Sequence, residues 1–392
     1  MQVLWNKEIE NIKDNGCLSE TLDITDALIQ NFANNIMKDE DKALMRMFFD
    51  PDVSQKRLDE LLSQWDIEAK KSDKNLLLAY FMKYHPELEF NSYTKPRLMG
   101  LLNNIRFKNV KTFSHLVKIG RILNENNIVP IVLKGGIMRV LRPELPRIMG
   151  DIDILVEEKN FLKSANLATE IGYTYDKIDI HSIDLHDKDG KGALDVHKFI
   201  YMGGKNDKKI LSGLFKRATK QNTFGIDILV PSNEDLLFIV LNNLARNLRD
   251  NTSKAGTLFS IFDCHYLINS KKDFNWNIVI ENAKLSGTQI YINFAMKFIN
   301  YLTPYVLQDF LNKPLFEKET RDYSLCVMYK RFYLEEIREQ TRKMKLKNLF
   351  KDYSLIDYLK IKPKYFLLKQ LINHPFLIKT LIKDIKTKKY NF

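Results

Sequence analysis

The sequence predicts an α+β fold, a central sheet with flanking helices and further helical regions at both ends of the chain. Three observations carry this. Short β-branched runs cluster between residues 128 and 230, and the stretches on either side repeat apolar residues at helical spacing. Glycine and proline are sparse, 15 and 11 in 392 residues, so long helices meet few breakers. A chain of 392 residues suffices for two or three domains, and 45% hydrophobic with 28% charged residues is ordinary for a folded protein. No internal repeat is evident. The organisation expected is a helical region over 1–110, a core over 111–235, a helical domain over 236–341 and a basic helical tail over 342–392.

Residues 1–110 carry apolar sets such as Leu58, Leu61, Leu62 and Trp65, then Leu76, Leu77, Tyr80 and Phe81, as a helical scaffold would. Leu116, Ile119 and Leu123 lie on one side of a helix over 115–126, which feeds a strand from Ile128 to Leu133. That strand runs into Lys134-Gly135-Gly136. Glycines there let backbone N–H groups approach phosphate oxygens, and a short helix from Ile137 to Leu141 would favour an anion at its N-terminus. Lys134 and Arg139 add positive charge.

Residues 152–156 read as a second strand. Side chains two apart on a strand share a face, so Asp151 and Asp153 project together, roughly 6 to 7 Å apart, while Ile152 and Ile154 enter the core. Phe161, Leu162, Ala165, Ala168 and Ile171 then mark a helix over 159–171, stopped by Gly172. Strands from Ile180 to His186 and from Ala193 to Phe199 flank an Asp189-Gly190 turn, and Asp195 and His197 share one face of the second. Gly225 to Val230 forms a last strand. Ser232 caps a helix from Leu236 to Leu248, with Glu234 and Asp235 in its first turn.

A glycine turn followed by three carboxylates suits the handling of a nucleoside triphosphate. Such a substrate approaches Asp151, Asp153 and Asp195 only with cations between, so two magnesium or manganese ions are expected. Asp151 and Asp153 would hold both ions. Asp195 would hold the one at the acceptor hydroxyl and help remove its proton. The reaction read from this is transfer of a nucleoside monophosphate to a hydroxyl on a small molecule, a protein or an RNA end, with release of pyrophosphate and with ATP first among the donors.

Leu133-Lys134-Gly135-Gly136, the run from Arg147 through Gly150-Asp151-Ile152-Asp153 to Val156, Gly172-Tyr173 and Leu194-Asp195-Val196-His197 carry a family resemblance. Together they resemble the largely uncharacterised bacterial nucleotidyltransferase family of the polymerase-β-like superfamily, from about residue 111 to 240. The resemblance implies a minimal palm-like mixed sheet backed by helices, and a two-metal site of Asp151, Asp153 and Asp195. It also implies that the region after 236 closes over the nucleotide, with Arg246, Lys254 and Asp263 as wall residues. Better-known members place Gly-Ser in the phosphate turn, and the Lys-Gly-Gly here is similar to a variant carried by this branch. Arg147 is expected at a phosphate or an acidic neighbour.

His197 either orients Asp195, contacts the acceptor or nucleotide, or is a structural hydrogen-bond partner. A metal cluster of His181, His186 and His197 is a poor reading, because hairpin pairing does not guarantee convergence and no cysteine lies close in sequence. Two other functions compete. One is a glycosyltransferase using Asp151-Ile152-Asp153 against a nucleotide sugar, disfavoured by the helical character of residues 1–110. The other is a non-catalytic nucleotide-binding subunit.

The net charge of +12 is concentrated. From Arg342 to Phe392, fourteen lysines and arginines face Asp352, Asp357 and Asp384, which places +11 there. Aromatic residues such as Phe350, Tyr353, Tyr358, Tyr365, Phe366 and Phe376 interleave with them, a pattern suited to nucleic acid, an anionic membrane surface, a protein partner, or lysines snorkelling around a helical core. No transmembrane span is expected, since Lys369, Pro375, Lys379 and Lys383 interrupt the most apolar tail stretch. The N-terminus lacks a basic head with an apolar run, and Cys17, Cys264 and Cys326 are odd in number and scattered. Both features suit a cytoplasmic protein.

Overall fold

The computed structural model describes residues 37–304, apart from 69–71, 145–148, 179–180, 189–192, 201–205 and 251–253, together with 29–30 and 33–34. The basic tail, Arg147, Cys17 and Cys326 lie outside the described residues.

Among the described residues, the helices with complete bounds ahead of the sheet are α1 (Asp39–Met47), α2 (Gln55–Ser63), α3 (Ser72–Tyr84) and α4 (Thr94–Glu125). At 32 residues α4 is about 48 Å long, and it buries Leu98, Leu102, Phe113, Leu116, Ile119 and Leu123 along one side. The sheet follows, with β1 (Ile131–Val132), α5 (Lys134–Leu141), β2 (Ile152–Leu155), α6 (Phe161–Glu170), β3 (Tyr173–Ile178), β4 (Ser182–Asp187), β5 (Ala193–His197), α7 (Asp207–Arg217), β6 (Thr219–Thr223) and β7 (Ile226–Val230). The remaining helices are α8 (Asn233–Asp250), α9 (Lys254–Asn269), α10 (Trp276–Ser286) and α11 (Gln289–Leu302).

The strands join in the order β3-β4-β5-β2-β1-β7-β6. β2 pairs with β5, and β1 with β7, in parallel; the other pairs are antiparallel, so the sheet is mixed. This is the α+β arrangement expected, with helices flanking the sheet. α4 lies close on β7 because Gly120 has no side chain. A Cβ there would sit 2.5 Å from Ile226 Cδ1.

Several local outcomes differ from the sequence expectation. The first strand is regular only at Ile131 and Val132, with Leu133 N–H donating to the Asp153 carbonyl (3.0 Å) just beyond it. Lys134-Gly135-Gly136 is not a loop ahead of a helix but the first turn of α5 itself. Gly136 is needed there, since a Cβ would meet Val132 Cγ1 at 2.8 Å. The edge strands β3 and β6 have no counterpart in the sequence reading. β6 is Thr-Lys-Gln-Asn-Thr, exposed along its length, so it shows no apolar alternation; its pairing is set by a tight turn in which Phe224 and Gly225 both take positive φ (53° and 76°).

The helices before and after the sheet share apolar contacts. Phe48, at the end of α1, meets Phe262 of α9 with ring centroids 4.4 Å apart, and Tyr80 of α3 meets Phe259 at 4.7 Å. Such T-shaped aromatic contacts each contribute about 1 kcal/mol beyond area burial. Ser232 caps α8 as expected, its hydroxyl accepting from Asp235 N–H at 3.2 Å, and α8 packs against α5. Among the described residues no helix is long and apolar enough to cross a membrane.

Candidate active site

Two adjacent parallel strands build the centre of the site. In β2 and β5 the register pairs Ile152 with Leu194, Asp153 with Asp195, and Leu155 with His197. Directly paired residues share a face, so Asp153 and Asp195 stand side by side while Ile152, Ile154, Leu194 and Val196 fill the other face of the sheet. The third strand continues the row, since Asp184 of β4 pairs with Asp195. Asp151 lies one residue before β2 and is exposed.

Internal cations hold the buried Asp153 carboxylate and the half-buried Asp195 carboxylate. His197 Nε2–H donates to Asp153 Oδ1 (3.0 Å) and to Asp195 Oδ2 (2.9 Å). Lys134 Nζ, from the first turn of α5, also donates to Asp153 Oδ1. Lys134 reaches this position from a left-handed backbone conformation, φ +50°, which costs a lysine roughly 1–2 kcal/mol. Strain of that kind often clusters at functional sites. Asp195 Oδ1 and His197 Nδ1 are buried with no hydrogen-bond partner.

The electrostatics separate the three aspartates. Burial works against the charge of Asp153, yet Lys134 and His197 outweigh it and hold the carboxyl below its usual range. Burial is likewise overcome at Asp195, where the charge and hydrogen bond of His197, followed by Lys134, hold the group well below the usual range. Asp151 goes the other way. The negative charge of Asp153, then desolvation, push it up to about 6. Burial pulls the His197 ring down, but the two carboxylates win and push it up to about 9, so it is an imidazolium at neutral pH. Lys134 is raised too, because Asp153 and Asp195 outweigh its burial, while the charge of Arg246 opposes them.

Among the described residues, Asp153, Asp195 and His197 are the group whose ligating atoms lie close enough to hold a metal ion, all within 4.8 Å of one another. Their chemistry fits a hard divalent cation. Two carboxylates supply oxygen ligands, and Asp195 Oδ1 is an acceptor that no donor of the protein meets. Asp151 is exposed two residues before Asp153 and feels its charge. Lys134, Gly135 and Gly136 form the N-terminal turn of α5 beside it, where backbone N–H groups lack helical partners.

The other candidates fall elsewhere. Arg139 turns its guanidinium to the Pro143 carbonyl at the far end of α5. Arg246 is exposed on α8 and near enough for its charge to act on Lys134, whereas Asp263 is buried within α9. His181 has its ring 5.6 Å from that of His197, and His186 lies away from the acids, facing Asp176 at 3.3 Å. The sequence reading missed Asp184. Ile183 and Leu185 are buried on either side of it, and that alternation was the available signal for a fourth acid on the Asp195 face.

The solution structure of the antibiotic-resistance factor ANT(2'')-Ia is similar at 10% identity and a TM-score of 0.31, covering 47% of this chain and 90% of that one. The crystal structure of an antigenic nucleotidyltransferase-like protein from Paracoccidioides brasiliensis is similar at 16% identity and a TM-score of 0.30, covering 48% and 91%. No curated protein matches the sequence. Residues 77–304, which contain the acid row, α5 and the helices around them, match the family described as uncharacterised nucleotidyltransferase, and the chain belongs to that family.

Proposed function

We propose that this chain moves a nucleoside monophosphate from a nucleoside triphosphate to an acceptor hydroxyl and releases pyrophosphate. The observation that carries the reading is the in-register pair Asp153 and Asp195 beside the N-terminal turn of α5. Asp153, Asp195 and the exposed Asp151 would hold divalent metal, Mg2+ or Mn2+, in one or two ions. Bound there, the metal would neutralise phosphate charge and polarise the α-phosphoryl group.

The protein's own groups divide the remaining tasks. The first-turn N–H groups of α5 and the Lys134 ammonium offer donors to phosphate oxygens, and the glycines keep that approach open. Asp195, ionised at neutral pH, is the acceptor for the hydroxyl proton. The hydroxyl oxygen bonds to the α-phosphorus, the bond from that phosphorus to the pyrophosphate oxygen breaks, and the proton passes to Asp195. His197 keeps Asp153 and Asp195 at fixed separation by bridging both.

Family membership favours this over sugar transfer from a nucleotide sugar. Incubating the full chain with α-labelled ATP, Mg2+ or Mn2+ and cell extract should yield labelled acceptor and pyrophosphate. Asp151→Asn and Asp153→Asn should each lower the rate about a thousandfold, equivalent to roughly 4 kcal/mol of transition-state stabilisation. Unchanged transfer in either variant defeats the mechanism. Nucleotide binding with no labelled product under any of these conditions supports a binding subunit instead.

A further inference from the structure

We propose that Lys134 is a resident counter-ion that holds Asp153 until a divalent cation takes its place, and that its ammonium then turns to the phosphates of the nucleotide. The proposal rests on the metal-binding reading of the acid pair given above. Three observations converge on it. Lys134 Nζ donates to Asp153 Oδ1, one of the atoms of the candidate ligand group. Lys134 is a non-glycine residue with φ +50°, so the backbone accepts an unfavourable conformation at the position that directs this ammonium toward Asp153. Its side chain retains 26% exposure against 4% for Asp153, so the lysine reaches solvent where the carboxylate does not.

The physical reason lies in the cost of uncompensated charge. Asp153 is buried among strands, and a buried carboxylate without a cation is strongly destabilising. His197 alone is shared between two carboxylates, so Lys134 supplies the second positive charge for Asp153 and Asp195. A divalent cation brings the two charges that Lys134 and the His197 imidazolium together provide. It therefore competes with Lys134 for Asp153, and the displaced ammonium lies in the first turn of the helix whose free N–H groups favour phosphate. In this account the lysine of the Lys-Gly-Gly turn links cation loading to phosphate capture.

The test is Mn2+ binding to the full chain without nucleotide, followed by the electron paramagnetic resonance signal of free Mn2+. Lys134→Met should bind Mn2+ roughly tenfold more tightly than the unaltered chain, because the internal competitor is gone. Arg142→Met removes a cation that lies over the Tyr266 ring, at the other end of α5, and should leave the affinity within about twofold. Unchanged or weaker Mn2+ binding by folded Lys134→Met, or an equal gain in Arg142→Met, overturns the proposal. A second measurement needs no variant at Lys134. Acylation of Lys134, followed by mass spectrometry, should rise severalfold when Mn2+ is added without nucleotide, and no rise at saturating Mn2+ also overturns the exchange. Asp153→Asn separates the two readings. If it keeps full Mn2+ affinity, the metal-site reading itself fails; if it loses binding while Lys134→Met does not gain it, only the exchange fails.

Discussion

Asp153 and Asp235 are both buried aspartates paired with a cation, yet they are built for different ends. Asp235, in the first turn of α8, receives two hydrogen bonds from Arg217 (2.8 and 2.6 Å), one from Asn282 (3.0 Å) and one from the Ser232 hydroxyl (2.8 Å). Both of its oxygens are fully engaged by a planar, bidentate partner. Around Asp153 the cations are a single-point lysine held in a strained backbone and an imidazolium divided between two acids, and neighbouring atoms of Asp195 and His197 are left without partners. The difference is that Asp235 spends its hydrogen-bonding capacity within the protein, whereas the acid pair around Asp153 leaves an acceptor open to a ligand.

Substitution should separate these clusters. The largest effect is expected from exchanging the roles of activity and stability: Asp153→Asn should lower nucleotidyl transfer about a thousandfold, whereas Asp235→Ala should cost about 3–5 kcal/mol of stability by stranding the Arg217 guanidinium. Turnover per folded molecule of Asp235→Ala should stay within about twofold. Denaturant unfolding with active-site titration checks both, and loss of turnover in folded Asp235→Ala would erase the distinction.

A smaller effect concerns pH. His197 has its folded value raised from 6.5 to about 9, so its contribution is fully present below pH 6.5 and disappears as pH rises through 9. Metal-free protein should lose up to about 3 kcal/mol over that window, and His197→Gln should flatten the slope. A slope of equal size in the variant, measured by urea unfolding at a series of pH values, contradicts the assignment.

The smallest effect runs in the opposite direction. Asp151 is raised to about 6, so its ionisation opposes folding above that pH. Because the group is exposed, solvent screening leaves about 1 kcal/mol of the penalty. Asp151→Asn should therefore stabilise metal-free protein by that amount at pH 8, show no gain at pH 4, and still lose transfer. A variant less stable than its parent at pH 8 would mean that Asp151 is a structural acid after all.

Much of the sheet was legible because its central strands carry strong patterns. Ile152-Asp153-Ile154-Leu155 alternates acid against core, and Leu194-Asp195-Val196-His197 repeats the alternation, so which side chains share a face within each strand follows from period alone. The helix opened by Ser232 was legible from its cap. β6 was not, because Thr-Lys-Gln-Asn-Thr gains its strand state only from pairing with β7. The start of α5 was also hidden. Gly135 and Gly136 read as turn formers, but packing of Gly136 on Val132 makes the helix begin at Lys134.

The sequence by itself determined that a glycine turn and three aspartates follow one another along the chain, and that Asp151 with Asp153, and Asp195 with His197, share a face, since local periodicity sets which side chains of one strand point the same way. Only the tertiary structure decided which of them meet. Asp153 touches the same histidine as Asp195 because β2 and β5, whose partners lie 42 residues apart, pair in parallel at one register, and a shift by a single residue would send Asp195 to the opposite face. The same packing brings Lys134 against Asp153. Buried charges must be compensated wherever the fold places them, and that requirement acts through space rather than along the chain.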